Sequence, residues 1–214
     1  MENNFYYCER NTTFFLAEPL NLFTNLSFLV VAVFLFFDKS IKNKNYSIMI
    51  FLIGVGSISF HSFPNTITGL ADIGFIILFI YYYLYSLYKL LGVRNYLVHV
   101  LSIFFIIVCY FFGAYFNNTF LGSSSFYTPI LIHLYFLCFY FLIHKYKNYQ
   151  YNLILKATLI FNLSILLRSL DFYLCNILYF GTHFIWHILN SLVLFLLVKF
   201  INLIAGGPSP KKPT

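Results

Sequence analysis

"FGTHFIWHILNSLVLFLLVKFINLI", residues 180–204, carries one charged side chain, Lys199, in 25 positions. Coiled as an α-helix it would run about 37 Å, enough to cross the roughly 30 Å hydrocarbon core of a bilayer. Working outward, apolar stretches of comparable length fall at 19–37, 46–63, 67–91, 96–116, 126–144 and 151–175, with polar or Gly/Pro/Asn breaks between them. The sequence therefore predicts an all-α bundle of seven transmembrane helices, one domain over residues 1–205, with connections too short for a second. Composition agrees: 61% of residues are hydrophobic and 9% charged, whereas a soluble domain has about a quarter charged. No internal repeat is visible. No cleavable signal peptide is expected, because the first 18 residues carry three glutamates and no apolar core. The tail, "AGGPSPKKPT", breaks from this composition, and residues 206–214 are expected to be disordered and in part non-native.

A net charge of +7 invites a nucleic-acid reading, so its distribution decides. Lys39, Lys42 and Lys44 fall between the first and second stretches, Lys89 and Arg94 between the third and fourth, and Lys145 and Lys147 between the fifth and sixth. Lys199, Lys211 and Lys212 sit at the end. The even connections "PNT" and "NNTFLGSSS" are uncharged, and the N-terminal segment sets Glu2, Glu9 and Glu18 against Arg10. By the positive-inside rule the N-terminus is outside and the C-terminus cytoplasmic. Topology accounts for the basicity, and no nucleic-acid partner is implied. The Lys/Asn/Ile/Phe/Tyr bias is that of an AT-rich genome and points to a bacterial inner membrane.

Ionisable residues are expensive in lipid and mark functional sites or charge pairs. With the N-terminus outside, "GVGSISFHS" (54–62) runs outward and places Ser57 and His61 near its outer end. "ITGLADIGFIILF" (67–79) runs inward from Asp72, "LLRSLDFYLC" (166–175) outward to Asp171, and the last stretch inward from His183 and His187. All converge on the outer leaflet, although only lysines and arginines set the orientation. His183 and His187, four apart, share one helix face and could hold one ion between them. His61 is the only other histidine at that depth. Three neutral imidazoles leave a tetrahedral zinc one position for water, whose pKa falls to about 7. Ser57 shares the face of His61 and could donate to an oxyanion. Asp72 could take the proton from water or fix a histidine tautomer.

Blander readings stand beside these. A single membrane histidine is usually hydrogen-bonded to a neighbouring helix, and HxxxH alone is weak; the third histidine and two polar partners at one depth are what give the pattern weight. Arg168 lies three residues before Asp171 on the same face, so an ion pair competes with a catalytic role for Asp171. His99 and His144 are expected at solvated helix ends, and His133 is expected to bond a neighbour. Cys8 and Cys175 both fall on the outer side, where a bridge and two free thiols are equally open. Glu18 and Asn21 could satisfy the start of the first helix or bond the last one.

"YYCERNTTFFLAEPLNLFTNLSF" (6–28), "GVGSISFHSFPNTITGLADIGFIILF" (54–79) and "LLRSLDFYLCNILYFGTHFIWHILN" (166–190) resemble the alkaline ceramidase family, within a superfamily of seven-helix membrane hydrolases. The resemblance covers about residues 6–198 and rests on SxxxH, a downstream Asp and HxxxH occurring in that order. It implies a zinc amidase that splits ceramide into a sphingoid base and a fatty acid, with His61, His183 and His187 as zinc ligands and Ser57 and Asp72 beside them. It also favours a disulfide between Cys8 and Cys175. Animal-type members bind calcium through an acidic N-terminal segment. Glu9, Asn11 and Glu18 match its ligands here, but Tyr6 replaces an aspartate and the gap from Asn11 to Glu18 is two residues shorter.

The expected function is hydrolysis of the N-acyl amide of ceramide or a related lipid, without an obligate protein partner. The rivals are a non-catalytic seven-helix lipid receptor with structural zinc and a bis-histidine haem protein, for which no CxxCH motif is present.

Overall fold

The computed structural model describes residues 7–10, 15–144 and 148–206. Tyr6, Asn11, Lys145, Lys147 and the tail from residue 207 lie outside the described residues. The described chain is helical: α1 (Pro19–Thr24), α2 (Leu26–Phe37), α3 (Asn45–Ser62), α4 (Thr66–Leu90), α5 (Asn95–Phe116), a 3-10 turn (Gly122–Tyr127), α6 (Thr128–Ile143), α7 (Asn148–Leu174) and α8 (His183–Gly206). α1 and α2 form one span, interrupted only at Asn25, so the bundle has the seven rods that the sequence predicts. Gly206, assigned to the tail by composition, instead ends α8.

Six of these rods are long and apolar enough to cross a membrane. The exception is α3, whose "GVGSISFHS" end is rich in glycine and serine. Its surroundings explain the difference. Ten of its 18 residues are buried inside the bundle, whereas α5 buries only Val98, Ser102 and Cys109. A helix wrapped by other helices has no need of an apolar surface, and small residues let its neighbours approach. A Cβ on Gly56 would stand 2.9 Å from the Phe75 ring and 3.2 Å from the backbone oxygen of Ala71. Glycine at 56 is thus what lets α3 press against α4 beside Ser57.

Consecutive helices pack on one another, and α8 closes the ring by packing on α1 and α2. The core between them is aromatic and aliphatic, with Leu35, Ile50, Phe141, Ile154 and Phe200 fully enclosed. Large apolar side chains cover the outside too: Phe111 is 65% and Phe136 68% exposed. Lipid, rather than water, is the solvent that makes such a surface stable.

Local signals start and stop the rods. Pro19 occupies the first turn of α1, where its missing N–H costs nothing. Asn65 caps α4 by accepting from the N–H groups of Ile67 and Thr68, and Thr68 returns a bond to the Asn65 N–H. At the opposite end of the bundle, Lys199 pairs with Asp38, and the Asn202 amide donates to the Ser40 carbonyl at 2.9 Å.

His99 and His144 are exposed, as expected, and bond Tyr81 and the Tyr140 carbonyl respectively. His133 departs from expectation. Its Nε2 is buried without a hydrogen-bond partner, and aromatic rings of Tyr88 and Phe105 surround it in place of a polar neighbour.

Candidate metal centre

Helix α8 presents His183 and His187 one turn apart, α3 presents His61, and the three imidazoles converge. One ring nitrogen from each lies within 4.8 Å of the others, and all three residues are buried. Two nitrogens on one tetrahedral zinc at about 2.05 Å are separated by about 3.4 Å, a contraction within reach of small ring rotations. The donor set fits a borderline metal such as zinc: imidazoles only, in an interior that would not tolerate three charged ligands.

The groups behind the rings support that use. Nδ1 of His61 lies 2.6 Å from a Glu18 carboxylate oxygen, and Nδ1 of His187 lies 3.0 Å from the Thr24 hydroxyl. Partners on Nδ1 leave Nε2 of both rings as the ligating atom. Burial pushes the Glu18 carboxyl upward in pKa, but its hydrogen bond and charge interaction with His61, the Arg10 charge and the Asn21 amide outweigh this and hold it below the usual range. With Arg10 and Asn21 also donating to it, the Glu18 carboxylate is placed to accept from His61 Nδ1 and fix its tautomer. Tyr7 stacks on the third ring, His183, at 3.9 Å between centroids.

Glu18→Gln is expected to weaken metal binding about 10- to 100-fold, because the amide keeps the shape but loses the charge that raises His61 basicity. Competition with a chromogenic chelator measures this; an unchanged affinity would remove Glu18 from the metal site.

The two other site carboxylates serve different ends. Asp72, on α4, lies within electrostatic reach of His61 and of the Ser57 hydroxyl. Asp171, on α7, makes none of the ion pairs among the described residues; its Oδ1 accepts from the backbone N–H groups of Thr182 at 2.6 Å and His183 at 2.9 Å, and its Oδ2 from Cys8 at 3.2 Å. The Arg168 pairing drawn from their spacing is thus not formed: Asp171 instead satisfies the exposed donors at the start of α8, where a negative charge is also favoured by the helix dipole. Gly181, at φ +62°, makes this possible, because a Cβ there would stand 2.0 Å from Asp171 Oδ1. Cys8 is disulfide-bonded to Cys175, with Cα atoms 5.1 Å apart, which ties the N-terminal segment to the end of α7.

Calcium fits the described residues poorly. Glu9 accepts from the N–H groups of Leu20 and Asn21 at 2.6 and 2.8 Å and so caps α1. Glu18 accepts from Arg10 on one oxygen and from Asn21 and His61 on the other. The arginine supplies the positive charge, and each carboxylate oxygen that a calcium ion would need already has a protein donor. Asn11 lies outside the described residues.

A cavity opens beside the histidines, lined near them by Ser57, Asp72 and Arg168 and farther down by Tyr83, Leu84 and Leu197. From His183 to Leu197 its α8 wall covers about 21 Å of helix, longer than the roughly 15 Å hydrocarbon depth of one leaflet. A polar end lined by the imidazoles of His183 and His187, a hydroxyl and a carboxylate, continued by an apolar channel, suits a lipid whose reactive group lies near its head.

The structure is thus a multi-pass helical bundle in which a buried histidine triad able to hold a metal lies beside a largely apolar cavity. The sequence profile of the ceramidase family matches residues 2–212, nearly the whole chain, and the chain belongs to that family. Membership implies a membrane hydrolase acting on amide bonds. A search of curated proteins finds no match.

Proposed function

We propose that the chain is a zinc-dependent lipid amidohydrolase that cleaves the N-acyl amide of ceramide or a related lipid into a fatty acid and an amine. The observation that carries this reading is the convergence of His61, His183 and His187 beside an apolar cavity that His183, His187, Ser57 and Asp72 line. His61, His183 and His187 would hold the ion. Zinc bound there would supply a Lewis acid for the amide carbonyl and water acidified to near neutrality.

The chain's own residues do the rest. The cavity walls on α3, α4 and α8 take the acyl chain and exclude bulk water, so the amide arrives between Ser57 and Asp72. Asp72 accepts the proton from water as its oxygen attacks the carbonyl carbon. Ser57 donates to the carbonyl oxygen as it becomes anionic. Asp72 then returns the proton to the leaving nitrogen, and the carbon–nitrogen bond breaks. Glu18 and Thr24 keep His61 and His187 turned toward the centre throughout. With the N-terminus outside, the site opens to the outer leaflet of a bacterial plasma membrane, which a lipid enters laterally.

The test is fatty-acid release from a panel of N-acyl lipids by the purified chain, with and without a chelator. Release from at least one lipid, suppressed by the chelator and restored by zinc, is the expected result. Release from none, or release indifferent to the chelator, overturns the proposal.

A further inference from the structure

Two arginines approach the metal centre, and their surroundings differ. Arg10 is paired with the Glu18 carboxylate. Arg168 forms no ion pair among the described residues. The faces of its guanidinium are covered, by Trp186 at 4.9 Å, Tyr127 at 5.6 Å and Tyr7 at 5.8 Å. Its edges are not. One terminal nitrogen reaches Ser123 Oγ at 3.1 Å and Tyr7 Oη at 3.4 Å, the other stands 3.4 Å from Nδ1 of His183, and Nε is buried without a partner.

A guanidinium holds its charge under all ordinary conditions, and keeping one at membrane depth without a carboxylate along its edge is costly. Aromatic faces relieve part of that cost but offer nothing to the N–H fork. Asp72 feels the charge across the cavity without entering contact. Arg168, Tyr7, Tyr127 and Trp186 all line the cavity, and Ser123, which Arg168 reaches, is exposed. The fork therefore lies where the head of a bound lipid would sit, beside His183.

We propose that Arg168 receives a carboxylate on the amine side of the substrate, so that the preferred lipid is an N-acylated amino acid. This rests on the reading of the cavity as the site of amide hydrolysis, and it names a substrate class for that site. Planar bidentate pairing with a carboxylate is what the guanidinium fork is shaped for. The closeness of Arg168 to His183 requires the anionic group to lie within a few bonds of the scissile amide, as an α-carboxylate does. The reaction balances: the N-acyl amino acid and one water give the fatty-acid carboxylate and the zwitterionic amino acid. The carbon–nitrogen bond breaks, the water oxygen joins the acyl carbon, and both water protons end on the nitrogen.

The chain's single tryptophan, Trp186, packs against Arg168 and reports binding without turnover. In a neutral detergent, Trp186 fluorescence is titrated with N-palmitoylglycine and with N-palmitoylethanolamine, which share chain and amide and differ in the carboxylate. The intact protein should bind the glycine conjugate about 10- to 100-fold more tightly, the range of a charged hydrogen-bonded contact. Arg168→Gln should reduce that preference to within about twofold while keeping affinity for the ethanolamine conjugate. Arg168→Lys, which keeps the charge and loses the fork, should fall between them. Equal affinity of the intact protein for the two lipids overturns the proposal, as does a preference that survives in Arg168→Gln. Hydrolysis of both lipids is followed in parallel. A binding preference without cleavage of either leaves this inference standing and removes the hydrolase reading; cleavage of the neutral lipid without a preference does the reverse.

Discussion

Replacing His187 with alanine should abolish hydrolysis and strip the protein of its metal while leaving the bundle folded. Turnover should fall at least about a thousandfold, beyond the loss of a single oxyanion donor, because the electrophile leaves with the ligand. The fold should survive because the lost ring borders an existing cavity, and the hydroxyl it bonds, that of Thr24, also bonds the backbone carbonyls of Leu20 and Asn21. Metal analysis, fatty-acid release and thermal melting in one detergent separate the three effects. A His187→Ala protein that keeps both metal and turnover would show that the triad does not hold the reactive ion.

The residues of that triad were legible in the sequence for a reason specific to membranes. Bilayer thickness assigns each residue of a span a depth, and lysine and arginine distribution assigns each span a direction, so His61 on α3 and the pair on α8 can be set at one level without knowing which helices touch. Helical spacing then puts His183 and His187 on one face. In a soluble bundle the same HxxxH would have had no third partner that could be named. The spans themselves follow from the same constraint, and their ends agree with the structure to within about three residues, the difference at α8 arising where Gly181 turns the chain and Asp171 caps the helix.

What stayed hidden depends on the path of the N-terminal segment. Glu18 matched a calcium ligand by position, yet it reaches His61, 43 residues away in sequence, and the one local signal, a carboxylate preceding Pro19 at a helix start, says nothing about which helix it faces. Tyr7 and Thr24, which touch His183 and His187, carry no motif at all. The Arg168–Asp171 spacing misled because residues three apart on a helix have a choice of partners: backbone N–H groups at the start of α8 bind Asp171 and free Arg168 to face the cavity. His133 shows a further limit, since aromatic rings enclose it where a polar neighbour was expected.

Asp72→Asn separates proton transfer from metal binding. Asparagine has the shape of aspartate and can still meet the Ser57 hydroxyl, but it cannot accept a proton from water. Turnover should fall about 10²- to 10⁴-fold, the contribution of a positioned general base, with zinc content equal to that of the parent protein. Melting should not fall, because the change removes a charge from the membrane interior and leaves Arg168 with its existing contacts to Ser123 and Tyr7. Zinc loss in Asp72→Asn would instead make Asp72 a ligand, and the chemistry would need another base. Undiminished turnover would place the proton acceptor elsewhere, and Glu18, already engaged by Arg10, Asn21 and His61, is poorly arranged to serve. The pair of variants therefore tests one division of labour: histidines that hold the electrophile, and a carboxylate across the cavity that moves the proton.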